Sequence, residues 1–267
     1  MTLEPETPTL PAARGYAPPV EVRWGLRQVA VGLAWFIVVL VGANLLALAG
    51  VIEASDAAQF VLSLAGYGVL VATVVFASRR LGQRSLAKDF WLRLRPVDLA
   101  IGLGLAVLAK LLSVVYGVVG IALFGVPVQQ SNLTLSGDTL WLVLNGVIMV
   151  AIVAPFVEEL FMRGLVMHAI RNAVLRRGGR AQPAPESVQR TALLVSIAGS
   201  GLLFMALHLY QSTEPALLFV LGLATLTLGV LNAVIVYVTQ RLGPAIVAHM
   251  VYNGISVATL LLLGSAA

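Results

Sequence analysis

The chain has 267 residues, 59% of them hydrophobic and 11% charged, with a mean hydropathy of +0.95. That balance is too apolar for a water-soluble domain and indicates a polytopic membrane protein. Cysteine is absent, which excludes disulfides, thiolate metal sites and a cysteine nucleophile. The net charge of +5 comes from basic blocks such as Arg79-Arg80 and Arg176-Arg177 with no interleaved aromatics and no nucleic-acid motif, so nucleic acid is not an expected partner.

In chain order, residues 1–28 are expected to form a disordered cytoplasmic tail. Their first part is rich in Pro, Thr and Glu and lacks the apolar run of a signal peptide. Seven apolar runs follow, near 29–50, 57–77, 99–124, 140–162, 191–209, 216–239 and 245–265. Each approaches the roughly 20 helical residues needed to cross a hydrocarbon core of about 30 Å. They are continuous rather than alternating, which predicts helices and not barrel strands. The expected fold is therefore an all-α bundle of about seven transmembrane helices over 29–265, without internal repeat or second domain. The arginine-rich stretch 163–180 reads as an interfacial amphipathic helix, followed by a flexible loop over 178–187 containing Gly178, Gly179, Pro183 and Pro185.

The basic residues orient this bundle. Sixteen of the seventeen Lys and Arg fall in the tail, in 79–95, in 163–190 or at Arg241. Segments 51–56, 125–139 and 210–215 carry none and hold Glu53, Asp56, Asp138 and Glu214. The positive-inside pattern places the N-terminus in the cytoplasm and the C-terminus outside. The protein is thus expected in the bacterial cell membrane, with membrane lipids among its partners.

Acids and imidazoles recur inside the later apolar runs. An acid at bilayer depth costs roughly 2.5–3.5 kcal/mol unless it faces a partner or a polar cavity. On a helix, Glu159 and Arg163 are four apart with the acid first, which suits an ion pair. Glu158 lies about 100° round the helix and is left free to act as a base. Pro155 just upstream could kink the helix and open a polar notch. Phe204 and His208 share a helix face, as do His249 and Asn253, whose amide could bond a histidine, a substrate carbonyl or an oxyanion. His168-x-x-x-Asn172 repeats the last spacing but is discounted for lack of apolar context. Lys110, the only cation within a run, is expected to pair structurally with Glu158 or Glu159, to bind a substrate carboxylate, or to serve a transport route.

The order of acid pair, histidine, then histidine with asparagine resembles the CAAX-protease and bacteriocin-processing-enzyme family of intramembrane proteases, called CPBP or Abi. Pro155-Phe-Val-Glu-Glu-Leu-Phe-Met-Arg-Gly is similar to its first motif, Leu203-Phe-Met-Ala-Leu-His-Leu to its second, and the segment from Thr239 to Asn253 to its third. Met162 departs from the phenylalanine often found before the motif arginine. The resemblance implies that Glu158 and His208 activate water for attack on a peptide carbonyl. It makes His249 and Asn253 the groups that stabilise the oxyanion or complete the site, with Glu159 and Arg163 as support. The implied substrate is a membrane-associated peptide or protein, such as a prenylated C-terminus or a leader peptide. Glu158, His208 and His249 are also a ligand set that zinc accepts. We expect a metal-independent site, because a metal-bound Glu158 would leave no carboxylate base other than Glu159. The competing readings are a non-catalytic membrane partner or immunity protein on the same fold, and a small transporter.

Because the Lys and Arg bias is so one-sided, the two faces of the bundle should be distinguishable in the membrane. A topology reporter fused after residue 180 is expected on the cytoplasmic side and one inserted near 130 on the external side; the reverse at both sites would overturn the orientation.

Overall fold

Backbone groups in lipid must find their hydrogen bonds within the same segment, and the apolar runs do so as helices. The computed structural model describes residues 22–53, 55–125, 137–178 and 184–264, and among them there is no strand. The long helices are α1 (Leu26–Leu48), α2 (Asp56–Leu81), α3 (Val97–Phe124), α4 (Thr139–Arg177), α5 (Glu186–Leu209), α6 (Pro215–Thr239) and α7 (Gly243–Gly264). All seven are long and apolar enough to cross a membrane, and the protein is an integral membrane protein.

Local chemistry sets the ends. Ser55 accepts a hydrogen bond from the Ala58 amide and Asp138 accepts from those of Leu140 and Trp141, capping α2 and α4. Gly125 ends α3 in the left-handed region at φ +69°. α4 runs through the middle of the bundle, touching α2, α5, α6 and α7, while α3 packs on α6 and α7. Two stretches of α4, Leu142–Val153 and Leu160–Val166, are π-helical. They flank the acidic pair, and Pro155, which lacks an amide proton, follows the first of them directly.

At the arginine-rich end, short segments strap the helices together. Arg241 donates to Asp98 at 2.6 Å, and the Leu242 and Gly243 amides donate to the carbonyls of Trp91 and Arg93 at 2.9 and 3.1 Å. Arg176 donates to the Val22 carbonyl at 2.8 Å. Hydrogen bonding to Asp98 raises the proton affinity of Arg241 above its ordinary value.

Several expectations are corrected here. The fourth span does not stop near 162 with an interfacial helix beyond it: α4 is one helix of 39 residues reaching Arg177. Its last part is packed into the protein, with Met167, His168, Ala169, Arg171 and Asn172 all buried. His168 and Asn172 therefore do have apolar surroundings; His168 donates from Nδ1 to the Arg163 carbonyl at 3.0 Å and meets Trp91 edge-on at 4.4 Å. The fifth span starts at Glu186, five residues before the expected 191. Val22 and Trp24, assigned to the tail, are buried; residues 1–21, and 179–183 of the expected loop, lie outside the described residues. Lys110 reaches neither glutamate. It donates to Ser256 at 2.5 Å and lies 3.8 Å from the centre of the Tyr252 ring, at the seam of α3 and α7.

α4 and α5 form an antiparallel hairpin in matched register. Val188 stands against Gly178 and Ile170 against Gly199, and Ser200 donates to the Met162 carbonyl at 3.1 Å. Glu158 is twenty residues before Gly178 and His208 twenty-two after Glu186, about 30 and 33 Å of helix. The two arms have nearly equal reach, so the side chains meet.

Small residues let the helices close. A Cβ on Gly102 of α3 would lie 2.6 Å from the Val247 side chain and 2.9 Å from the Ala248 amide nitrogen of α7, whereas one on Gly104 would meet nothing within 4 Å. Gly102→Ala should lower stability by about 1–3 kcal/mol through overpacking, and Gly104→Ala should change it by less than about 0.5 kcal/mol, both read by thermal unfolding in detergent.

Candidate functional site

The site begins with a carboxylate that is fully buried. Glu159 and Arg163 both have 0% side-chain exposure, and Arg163 Nη1 lies 3.1 Å from Glu159 Oε1. The same oxygen accepts from Asn232 Nδ2 at 3.0 Å and from His249 Nδ1 at 2.9 Å. Asn232 also reaches the Ala245 carbonyl at 3.3 Å, and Arg163 donates through Nη2 to the Gly229 carbonyl at 3.0 Å. One oxygen of α4 therefore gathers groups from α6 and α7. The expected pairing of Glu159 with Arg163 is present, but Glu159 also fixes His249.

Glu158 faces the other way, with 18% of its side chain exposed. Its Oε1 accepts from the Tyr67 hydroxyl at 3.0 Å. Its Oε2 lies 4.0 Å from His208 Nε2 and 3.8 Å from His249 Nε2. His208 donates from Nδ1 to the Phe204 carbonyl at 2.8 Å, and His249 donates from Nδ1 to Glu159. With both Nδ1 positions occupied as donors, both Nε2 atoms turn towards Glu158. Neither gap is a direct hydrogen bond, and the 4.0 Å gap to His208 is short enough for a water to bridge. A chamber of about 50 Å³ lined by Glu158, His208, Phe204 and Tyr67 adjoins them, room for a few waters.

Phe204 organises the rings. Its centroid lies 4.4 Å from that of His208 and 5.5 Å from that of His249, the latter edge-on, and the Arg163 guanidinium stacks on it at 4.5 Å. The predicted packing of Phe204 on His208 is therefore found. Tyr210, just beyond the end of α5, also lines the chamber.

The structure thus brings together Glu158, Glu159, Arg163, His208 and His249. Asn253 is not among them: its amide donates to the Val150 carbonyl at 2.9 Å, tying α7 to the π-helical turn ahead of Pro155. The sequence reading missed Tyr67 and Asn232. Asn232 was visible as an amide deep in the apolar run of α6, but nothing in the sequence related it to Glu159.

The donor chemistry of Glu158, His208 and His249 suits zinc, since each imidazole has its second nitrogen oriented by an acceptor. The spacing does not. Ligands of one tetrahedral zinc lie about 3.4 Å apart, and among the described residues no group of three His, Cys, Asp or Glu side chains is close enough to hold a metal ion.

Residues 139–255 match the family described as Rce1-like, type II CAAX prenyl endopeptidase. The match runs from the start of α4 into α7 and includes Glu158, Glu159, Arg163, His208 and His249; the resemblance to the CPBP family read from the motifs is borne out over that segment. No curated protein and no solved structure matches the chain.

Removing the charge of Glu159 leaves Arg163 buried and unpaired, a loss of about 3–5 kcal/mol. Glu159→Gln should therefore deplete the protein from membranes, measured by quantitative blotting, while Glu158→Gln should not. The double variant Glu159→Gln with Arg163→Met should recover abundance but not activity, because His249 remains without its carboxylate. Equal abundance of both single glutamate variants would contradict this division.

Proposed function

We propose that the protein is an intramembrane endopeptidase in which Glu158 is the general base. The observation that carries this is one reachable carboxylate beside a small chamber inside an apolar bundle, with two imidazole Nε2 atoms within 4.0 Å of its Oε2. A water held between Glu158 and His208 can donate one proton to each, leaving its lone pair directed at a peptide carbonyl carbon. On attack the C–O bond forms, Glu158 takes the proton, and the carbonyl oxygen becomes an oxyanion. His249 is the donor placed for it: with its Nδ1 proton held by Glu159, a second proton on Nε2 faces the Glu158 carboxylate at 3.8 Å. Collapse breaks the C–N bond, and the proton on Glu158 passes to the leaving amine. Water is consumed and an acid and an amine are released.

Asn253 acts in this scheme by positioning α7, and Tyr67 by holding the Glu158 rotamer. The match to a prenyl endopeptidase family supports peptide-bond hydrolysis as the chemistry. The alternative, a non-catalytic partner on the same fold, is disfavoured by the geometry, since a purely structural site has no need of a base kept apart from the buried ion pair.

Glu158→Gln should lower peptide cleavage at least about 100-fold, the lower end of general-base contributions, with abundance unchanged. Purified enzyme should keep its activity after dialysis against a strong chelator and hold well under one zinc per chain. Stoichiometric zinc, with activity lost on chelation and restored by zinc alone, would overturn the metal-independent scheme.

A further inference from the structure

Lys110 is a charged group inside the bundle that the site does not use. It stands thirteen residues after Val97 and fourteen before Phe124, about 20 Å of helix from either end of α3. A lysine side chain at that depth does not reach the headgroups. Among the described residues its contacts are the Ser256 hydroxyl and the Tyr252 ring, and no carboxylate is paired with it. Glu158 and Glu159 are held elsewhere, by Tyr67 and by Arg163. An ammonium in hydrocarbon without a counter-charge is costly, and this seam supplies only hydroxyls and an aromatic face: Ser113 and Tyr252 bond each other at 2.7 Å, and Thr259 lies one turn beyond Ser256.

The outer edge of the seam is apolar and exposed, as a lipid-facing surface is. On α3, Val107 and Val114, three residues before and four after Lys110, share its face and are 45% and 50% exposed. On α7, Ile255 and Thr259 beside Ser256 are exposed as well. Lys110 therefore sits at the border between this surface and the packed face of Gly102, Ala106 and Ala109. The chamber at Glu158 is lined from α1, α2, α4, α5 and the two residues after α5, with none from α3 or α7. A helix lying along the seam is thus kept away from the base.

We propose that the seam of α3 and α7 docks the transmembrane helix of a separate membrane protein, one that carries an Asp or Glu at mid-depth and pairs it with Lys110. Charge selects this occupant. A second copy of the chain, related by a two-fold axis through the seam, would set Lys110 against Lys110, like charges in a low-dielectric medium. Headgroup phosphates lie out of reach. A carboxylate on a partner helix supplies the missing counter-charge, and the pairing lowers the cost of both groups in lipid. Because the seam contributes nothing to the chamber at Glu158, the partner is an accessory subunit and not a substrate. This inference does not rest on the hydrolase reading.

The chain has no native cysteine, so disulfide formation reports docking directly. The full chain carrying Val114→Cys would be co-expressed with a single-span probe, a Leu-Ala helix with one central Glu and a Cys one turn from it. Val114→Cys should cross-link to this probe, whereas Val119→Cys, about 180° from Lys110 on α3, should not. Replacing the probe Glu by Gln should reduce cross-linking at least about five-fold, the lower end of interhelical polar contacts in model peptides. Adding Lys110→Met should bring the Glu probe down to the same level, and Lys110→Arg should keep it high. If Lys110→Met does not fold, Val107→Trp, which obstructs the outer side of the seam and leaves the ammonium in place, should lower cross-linking of the Glu probe by a similar factor. Equal cross-linking of the Glu and Gln probes, or a preference for Glu that survives both Lys110→Met and Val107→Trp, overturns the proposal. Cleavage of the docked probe that is lost with Lys110→Met would make the seam a substrate site and overturn the accessory assignment.

Discussion

Everything in the site is arranged around the burial of Glu159. A carboxylate with no exposure is tolerable only if charge and hydrogen bonds reach it from several sides, and here they come from Arg163 on its own helix, Asn232 on α6 and His249 on α7. The same contacts that neutralise the acid lock three helices together and settle which nitrogen of His249 carries a proton. They also remove Glu159 from any role as a base. Glu158, one residue earlier, is turned by the helix into a different environment, where it accepts a hydrogen bond from Tyr67. Two adjacent glutamates thus serve different ends because a step of about 100° separates a packed seam from a cavity.

The second constraint is the hairpin of α4 and α5. A helix of 39 residues is at most about 58 Å long, well beyond a hydrocarbon thickness of about 30 Å. Its surplus lies past the start of α7: Gly164 faces both Phe90 and Leu242, so Met167–Arg177 extends further towards the arginine-rich end. That extension sets the depth of the site. His249 is only six residues into α7 whereas His208 is one residue from the end of α5, and Glu158 can meet both only because α5 starts far along the hairpin arm. The aromatic ring of Phe204 then spaces the two imidazoles.

Much of this was legible from residues alone. The seven spans, the Glu159–Arg163 pair and the packing of Phe204 on His208 follow from helical periodicity and composition, which report local geometry faithfully. What the sequence hid was tertiary. Hydropathy ends the fourth span near 162, since charges follow it, yet Arg163 is buried against Glu159 and His168 is buried beside Trp91. Charge near a helix end does not distinguish an interface from a polar seam inside the protein. Lys110 misled for the same reason: its partners Ser256 and Tyr252 are unremarkable in sequence and more than a hundred residues away. Tyr67 and Asn232 carry no signal without a register between helices, which only packing supplies.

The asymmetry of the bundle also bears on which function the polar residues can perform. A transporter needs a site that exchanges access between two faces, and usually a pair of broken helices around it. Here the arginine-rich side of Glu158 is filled by large apolar side chains and tied by the Asp98–Arg241 bridge and the Trp91–Leu242 hydrogen bond, features that oppose opening on that face. Lys110, the one intramembrane cation outside the acid cluster, is held at a different seam. A hydrolase needs the opposite: a rigid base, a fixed tautomer, a bounded supply of water and a single way in. The small chamber at Glu158 and His208 meets the first three of those needs, and the packing on its arginine-rich side is the same packing that buries the Glu159–Arg163 pair.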